Sequence, residues 1–272
     1  MQEAKRNVTN ENDLQRIKEL RLMDDDFFSE ALDGKTEAVE YILNTILERD
    51  DIKAKSTKAQ VEYKSTTKRS IKLDIQAEDV NGRLMDIEIQ RSDRGSGVRR
   101  ARFHSSMIDR ALLSKGDDFE DLVDTYVIFI TEKDKFGMGI PLYHIERKIS
   151  EMDNALFGDG AHILYVNGEY RNLEHPVGSL MHDFNCKDAK DMVNPLLAEE
   201  VRYLKETEGG RSQMSRILEE MRNEVAEKVT HNNAVNTALK LLARGRDSIE
   251  EITEITGLSL EEVRKLADNH KA

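Results

Sequence analysis

Two acidic residues, Asp74 and Glu88, lie in neighbouring segments that alternate between apolar and polar side chains, the pattern of two β-strands. The loop Val80-Asn81-Gly82 separates them, and its glycine stands where a three-residue hairpin loop needs a left-handed residue. The register of such a hairpin places Asp74 opposite Glu88. Because opposed β-carbons lie about 4.5–5.5 Å apart, the two carboxylates can hold one divalent cation. Their hard oxygen atoms suit Mg²⁺ or Mn²⁺.

A shorter, two-residue loop of Asn81-Gly82 would shift this register by one residue. Asp74 would then face Ile89, and each face of the sheet would mix polar with apolar side chains. A strand pair with one buried face needs its apolar residues on the same side, which favours the three-residue loop. The favoured register pairs residues of like character: Leu73 with Ile89, Ile75 with Ile87, and Gln76 with Asp86.

The hairpin also has an interpretation that needs no metal ion. Two carboxylates in direct opposition destabilise a strand pair unless a positive charge lies near them. On a solvent-facing sheet that charge can come from a neighbouring side chain, for instance a salt bridge from Asp74 to Lys72 or Arg91. The residue pattern alone leaves both interpretations open.

The segments around the hairpin follow the order of an α/β domain. Apolar residues three and four positions apart predict helices, alternation predicts half-buried strands, and a short continuous apolar run predicts a buried strand. The predicted elements are helices at 36–47 and 98–113, three strands between about residue 52 and residue 90, and further strands at 126–130, 142–149 and 162–166.

Beyond residue 185 the pattern predicts helices, at 192–206, 211–230 and 233–244. The second of these has a narrow apolar stripe suited to packing on another helix, either in its own domain or in a second copy of the chain. In the second case the chain forms a homo-oligomer through its C-terminal helices, which is the expected assembly. The stripe consists of Met214, Ile217, Leu218, Met221, Val225 and Val229.

The final stretch, 246–272, resembles a small helix-turn-helix with Gly257 in its turn. Its second helix opens with Leu260-Glu261-Glu262, and these carboxylates should repel phosphate groups. A small helical or protein-contact element is therefore favoured over a DNA reader. The predicted core of this element is Ile252, Leu258, Val263 and Leu266.

Three sequence segments together resemble the PD-(D/E)XK nuclease family transposases, the recombination-promoting nuclease group of the restriction-endonuclease-like superfamily. They are LDIQAED at 73–79, IEIQR at 87–91 and RARFHSSMID at 100–109. The resemblance covers about residues 20–230 and is far more specific in combination than in any one segment. It implies an α/β fold with a restriction-endonuclease-like αβββαβ core and a mixed sheet, followed here by an α-helical C-terminal extension.

The resemblance also implies a Mg²⁺-dependent (or Mn²⁺-dependent) endonuclease that hydrolyses DNA and promotes recombination. Asp74 takes the aspartate position of the motif, Glu88 the second acidic position, and Gln90 the position of the usual lysine. Glu40, on the helix at 36–47, matches the acidic helix residue that often completes the metal site. Glutamine at position 90 is a known variant of the group, but it removes a cation that could activate water.

A cluster of arginines after the second carboxylate strand predicts a contact with DNA. Residues 52–110 hold 14 lysines and arginines against 8 aspartates and glutamates, a local charge of +6 in a chain of net charge −12. Guanidinium groups suit the phosphate backbone, although a solubilising helix face is the other interpretation. The cluster is Arg91, Arg94, Arg99, Arg100, Arg102 and Arg110, and the predicted DNA-binding residues are Arg91, Arg99, Arg100 and Arg102. His104 is expected to be a packed or surface histidine.

Composition excludes several other classes of protein. No apolar run approaches the ~18–20 residues of a membrane span, so no membrane partner is expected. The opening MQEAKRNVTN lacks an apolar signal core, which predicts a cytoplasmic location. Cys186 is the single cysteine, so an internal disulfide and a thiolate zinc site are excluded.

These patterns predict four regions and three classes of function. The regions are a polar N-terminal segment at 1–20, a nuclease-like domain at 21–185, a helical extension at 186–245, and the helix-turn-helix-like tail at 246–272. The leading function is the metal-dependent endonuclease. The alternatives are a catalytically inactive DNA-binding or transposon-accessory protein, and an oligomeric scaffold that acts through the 211–230 stripe.

Overall fold

The computed structural model describes residues 11–63, 70–91 and 96–271. The predictions for the first ten residues and for Arg94 lie outside these ranges. The strands are β1 (Ala54–Tyr63), β2 (Ile71–Asp79), β3 (Leu84–Gln90), β4 (Thr125–Thr131), β5 (Leu142–Ile145), β6 (Lys148–Ile149), β7 (Ala155–Leu156) and β8 (Ala161–Asn167). The helices are α1 (Glu11–Glu19), α2 (Asp25–Leu32), α3 (Thr36–Ile46), α4 (Val98–Leu112), α5 (Pro176–Asn185), α6 (Pro195–Glu206), α7 (Glu208–Arg244), α8 (Ile249–Thr256) and α9 (Leu260–Lys271).

The main sheet is mixed and has the strand order β1-β2-β3-β4-β8-β5. Strands β1, β2 and β3 are antiparallel neighbours, β3, β4 and β8 run parallel, and β5 is antiparallel to β8. A parallel pair requires a crossover connection, and α4 provides it between β3 and β4. The succession α3-β1-β2-β3-α4-β4 confirms the predicted α/β fold with its αβββαβ core and mixed sheet.

The hairpin of β2 and β3 has the register that the three-residue loop predicts. Ile75 pairs with Ile87 and Gln76 with Asp86. Gly82 has a φ of +81°, and its N–H donates to the Asp79 carbonyl at 3.1 Å. The left-handed conformation therefore closes the turn, as the position of glycine in the loop predicts.

Strand β3 is buried on both of its faces, because Leu84 through Ile89 are all buried. Helix α4 packs on β4 and β8, whereas α2 contacts β1, β2 and β3. Helix α2 thus lies against the carboxylate strands, and α4 lies against the strands beside them. The apolar cluster that includes α4 consists of Ile71, Leu73, Leu84, Ala101, Met107, Ile108, Val127, Phe129, Tyr143 and Tyr165.

The chain divides into two compact units, Met1–Met214 and Ser215–Ala272. The predicted helical extension, 186–245, therefore contributes to both. Its first part, α6, belongs to the first unit, where it contacts α2 and α3 and buries Leu197, Val201 and Leu204.

The second unit contains a small apolar cluster with the composition that the sequence predicts. Ile252, Leu258 and Val263 are buried with Ala238, and Leu266 packs against them. Gly257 ends α8 in the left-handed conformation, with a φ of +71°. A left-handed glycine at the end of one helix allows the sharp turn into the next.

Helix α7 is continuous, so the prediction of two helices, at 211–230 and 233–244, was wrong. The predicted interruption lay at the polar residues His231-Asn232-Asn233. These residues lower helix propensity by less than about 0.7 kcal/mol each, and residues 211–244 contain neither proline nor glycine, so the helix does not end there.

Within the described ranges, no helix is both long enough and apolar enough to span a lipid bilayer.

Gly82→Ala should destabilise the first unit by about 1–2 kcal/mol, because an L-residue is strained in the left-handed conformation. An added β-carbon would lie 3.9 Å from Val123 Cγ1, so the cost is one of backbone conformation and not of a clash. Gly82→Asn is the matched control, since asparagine tolerates this conformation better. Urea unfolding should rank the variants as wild type, Asn, Ala in decreasing stability. Equal stability of all three would contradict the assigned turn.

Candidate metal centre

Strands β2 and β3 separate at the two predicted site residues. Their backbone pairing ends at Ile75 with Ile87, so Asp74 and Glu88 do not continue the ladder. The acidic side chains take over its hydrogen bonds instead. Asp74 Oδ2 accepts from the Ile89 N–H at 2.9 Å, and Glu88 Oε1 accepts from the Asp74 N–H at 3.2 Å. Each carboxylate therefore binds the backbone of the opposite strand, and this exchange holds the two groups at one place.

Helix α4 brings two more side chains to Glu88. Residues three and four positions apart share the face of α4 that packs on the sheet. The residues buried on this face include Ala101, His104 and Ile108. Arg100 lies one turn before His104. Its Nη2 donates to Glu88 Oε2 at 2.8 Å, and its Nε donates to His104 Nε2 at 3.2 Å.

A third carboxyl group, that of Asp86, lies next to this pair and is completely buried. Its Oδ2 atom is 3.2 Å from His104 Nδ1, which is also 3.7 Å from Glu88 Oε1. The other oxygen, Oδ1, is buried without a hydrogen-bond donor in the described part of the chain. One ligand atom from each of Asp86, Glu88 and His104 lies within 4.8 Å of the others. Close oxygen and nitrogen atoms of this kind can hold a metal ion.

The three carboxyl groups resist ionisation in this dry setting. Burial, and then the charge of Glu88, raises the pKa of Asp74 from 3.8 to about 8. Burial, and then the charge of Asp86, raises the pKa of Glu88 from 4.5 to about 8. Burial likewise raises the pKa of Asp86 well above 3.8. A divalent cation would favour the ionised forms and so reverse these shifts.

The donor set fits a hard divalent cation. Both ring nitrogens of His104 already lie within hydrogen-bond distance of a partner, Arg100 at one nitrogen and Asp86 at the other. The carboxyl groups of Asp74, Asp86 and Glu88 supply further oxygen atoms, and a carboxylate oxygen that accepts one hydrogen bond still has a second lone pair. Such oxygens suit Mg²⁺ or Mn²⁺.

The structure does not bring Glu40 together with these carboxylates. Its Oε1 atom accepts from the Ala54 N–H at 2.8 Å, and its Oε2 atom is 3.4 Å from Lys53 Nζ. Ala54 pairs with Asp79 at the turn end of β2. That pair is about 16 Å along the strand from Asp74, at 3.2–3.4 Å per residue. Glu40 therefore binds the start of β1.

Gln90 lies at the end of β3, two positions after Glu88 and so on the same face of the strand. Its neighbour Arg91 is held by two acidic residues. Arg91 Nη1 is 2.6 Å from Asp24 Oδ1, and Arg91 Nε is 3.6 Å from Glu132 Oε2. These ion pairs tie the end of β3 to the start of α2 and the end of β4.

The remaining predicted DNA-binding residues differ in their positions on α4. Arg99 and Arg102 are exposed, whereas Arg100 is partly buried against Glu88. The structure thus separates one arginine, which contacts the carboxylates, from two that face solvent.

Three residues near the site were not assigned to it from the sequence. Asp25, in the first turn of α2, lies close enough to Asp74 for its charge to raise that pKa. The run Asp24-Asp25-Asp26 before two phenylalanines was the sequence signal for it. Asp86 stands two positions before Glu88 on the same strand face, a spacing that could have identified it. His104 carried no local signal, because only the packing of α4 on the sheet brings it to the carboxylates.

A second group of potential ligands is His182, Asp183 and Cys186. His182 Nε2 is 3.0 Å from the Asp191 carbonyl oxygen, and Cys186 Sγ is 3.5 Å from the same oxygen. The Asp183 oxygens accept from the N–H groups of Val193 and Asn194 at 2.7 and 2.8 Å. Structural hydrogen bonds therefore occupy this group.

The mixed sheet and the carboxylates between its parting strands define a protein of the restriction-endonuclease-like fold. The family model of the PD-(D/E)XK nuclease family transposases matches residues 26–174. This is more than half of the chain, and the chain belongs to that family. The matched range includes α2 from its second residue onward, both carboxylate strands and α4. No curated protein and no solved structure matches the chain.

The metal-free protein should lose stability as pH rises through about 8, relative to an Asp74→Asn variant. The folded pKa values of Asp74 and Glu88 lie above the ordinary values of 3.8 and 4.5. The folded state therefore holds protons that the unfolded state releases above about pH 4. These groups therefore stabilise the folded state fully below about pH 4, and the stabilisation falls as the pH rises from about 4 to about 8. The loss is no more than about 1.4 kcal/mol per pH unit for each proton.

Thermal unfolding in EDTA across this range measures the effect, with Glu78→Gln as a control on the same strand. Glu78 is partly exposed and paired with Lys55, so this variant should keep the wild-type pH dependence. Addition of Mg²⁺ near pH 8 should restore the stability of the wild type more than that of Asp74→Asn. Identical pH dependence in wild type and Asp74→Asn would show that the Asp74 carboxyl does not titrate in this range.

Proposed function

We propose that this protein is a Mg²⁺-dependent DNA endonuclease whose metal ion (Mg²⁺, or alternatively Mn²⁺) is held by Asp74 and Glu88. The observation that supports this best is the exchange of backbone hydrogen bonds between the two side chains. It holds the buried Glu88 and the half-buried Asp74 together at the point where β2 and β3 part, in a member of a nuclease family. The family's description as transposases makes strand breakage for recombination the proposed role.

Within this proposal each residue has a separate task. A bound divalent ion would polarise a phosphodiester oxygen and lower the pKa of a water molecule. Asp74 and Glu88 would fix the position of the ion. Gln90, on the same face of β3 as Glu88, can hydrogen-bond the phosphate or the attacking water but cannot remove a proton. In this proposal Asp25 of α2, whose charge acts on Asp74, takes the part of the acidic helix residue in place of Glu40.

Arg99 and Arg102 are the proposed contacts with the DNA backbone. Both are exposed on α4, the helix that also carries Arg100 to Glu88. Arginines contact phosphate oxygens without reading the base sequence. Arg91 contributes less in this proposal, because Asp24 and Glu132 hold its side chain.

The C-terminal helices are the proposed surface for a homo-oligomer, which remains a prediction. Val225 and Val229 of α7 are 59% and 53% exposed. An apolar stripe that continues onto an exposed helix surface is suited to packing against a helix of a second chain.

Asp74→Ala and Glu88→Ala should each reduce Mg²⁺-dependent nicking of supercoiled plasmid by at least about a hundredfold, because each removes a ligand of the metal ion. Glu78→Gln should cleave at the wild-type rate, since Glu78 lies on the same strand but pairs with Lys55. Circular dichroism of the three variants controls for folding.

Cleavage by the Asp74→Ala, Glu88→Ala double variant at the wild-type rate would refute the proposed site. Binding of DNA by the wild type without any Mg²⁺- or Mn²⁺-dependent cleavage would favour the DNA-binding alternative, in which Gln90 marks an inactive site.

The double substitution of Arg99 and Arg102 by alanine should weaken DNA binding at every sequence. The slope of log affinity against log salt should become shallower by about 1 for each phosphate that the variant no longer binds. Fluorescence anisotropy in Ca²⁺, which is expected to support binding without cleavage, measures both quantities. Arg110→Ala is the matched control, because Arg110 is exposed on α4 more than two turns away. An equal change of slope in Arg110→Ala would place the DNA elsewhere.

A further inference from the structure

Arg100 has an environment unlike that of the exposed arginines on its helix. Its side chain is 38% exposed, and its Nη2 atom donates to the completely buried Glu88 at 2.8 Å. The guanidinium carbon lies 5.9 Å from the centre of the Phe129 ring, which gives it a flat aromatic support. One edge of the guanidinium group is thus fixed, while the side chain still reaches solvent.

A second hydrogen bond from the same edge fixes the orientation of this guanidinium group. Arginine can only donate, so His104 Nε2 must accept the bond from Arg100 Nε. The ring proton of His104 is then on Nδ1, and it points to Asp86 Oδ2 at 3.2 Å. His104 and Asp86 are 2% and 0% exposed. A chain of hydrogen bonds therefore runs from Asp86 through His104 and Arg100 to Glu88.

The site needs a positive charge that its own strand does not supply. Gln90, two positions after Glu88 and on the same side of β3, is uncharged. A lysine at this position would have supplied the cation. Arg100 reaches that side from α4, and its charge acts to lower the pKa of Asp74, Asp86 and Glu88 alike. It is thus in the field of every carboxyl group of the site.

We propose that Arg100, oriented by the buried pair His104 and Asp86, is the cationic residue of this site and contacts the phosphate that is to be cleaved. This inference rests on the proposed nuclease function and deepens it. A guanidinium group stays protonated throughout, so Arg100 stabilises negative charge on the phosphate and does not act as a base. His104 and Asp86 are positioning residues, because they act through Arg100.

Steady-state cleavage of DNA in Mg²⁺ by Arg100→Ala and by the Arg99, Arg102 double alanine variant tests this assignment. Arg100→Ala should lower kcat by about a hundredfold or more, as removal of one donor to a transition-state charge does elsewhere, and should raise KM by no more than the metal-dependent increase in DNA affinity that the wild type shows. The double variant should raise KM and leave kcat near the wild-type value. Arg100→Lys keeps the charge without the planar group and should recover part of the loss.

The positioning role of His104 has its own variants. His104→Gln offers an amide oxygen to Arg100 Nε and should retain most of kcat, whereas His104→Leu cannot accept and should lower kcat about tenfold or more. Nitrogen NMR of the wild type should show the His104 proton on Nδ1, and Arg100→Ala should shift the Nε2 resonance. Circular dichroism and melting temperature establish that each variant is folded.

A second readout keeps this inference separate from the proposed function. If Arg100 contacts a phosphate at the metal site, the Arg100→Ala variant should lose the increase in DNA affinity that Ca²⁺ produces. The Arg99, Arg102 double variant should instead lose affinity both with and without Ca²⁺. If the wild type does not cleave but Arg100→Ala loses this increase, the endonuclease proposal fails and the assignment of Arg100 stands.

Two results overturn the assignment. The first is an Arg100→Ala variant that cleaves DNA with the wild-type kcat. Where the wild type does not cleave, the equivalent result is an Arg100→Ala variant that keeps the full Ca²⁺-dependent increase in DNA affinity. The other is a folded Arg100→Ala variant that behaves like the Arg99, Arg102 variant and changes KM alone. Arg100 would then be an ordinary backbone contact.

Discussion

The hydrogen bonds that Asp74 and Glu88 accept from the backbone of each other's strand are the interaction on which the rest of the site depends. Two strands that part would leave amide groups unpaired in a buried region, and such groups are costly unless something accepts from them. The carboxylates are the acceptors here. The same geometry that satisfies the backbone therefore places two acids at one point, so fold stability and site construction share one set of bonds.

Negative charge in a dry interior has to be balanced by positive charge. Arginines at two places around the hairpin supply it. Helix α4 brings Arg100 to Glu88, with His104 between that arginine and Asp86. At the outer end of β3, Arg91 binds Asp24 and Glu132 and so anchors the start of α2. The balance is incomplete, because burial still raises the pKa of the three carboxyl groups. A divalent cation would complete it, which fits membership of a nuclease family.

The sequence predicted the hairpin and failed to predict its neighbours for a definable physical reason. Alternation of residue type and a glycine in the turn are local properties, and they led to the pairing of Ile75 with Ile87. Glu40 was expected at the site because it matches the acidic helix residue of the family that the sequence resembles. Which helix covers which end of β2 depends on packing between distant segments, and this packing places Glu40 at Ala54 and Asp25 near Asp74.

By itself the sequence determined the α/β class, the strand order along the chain, the hairpin register and the resemblance to a nuclease family, since period, turn chemistry and motif spacing are all local. Tertiary structure decided how the carboxylates meet, because the strands had to part before the side chains could bind the opposite backbone. It also decided which charges surround them. The partners of Asp86 and Glu88 come from α4, and their approach depends on how that helix packs against Val127 and Phe129.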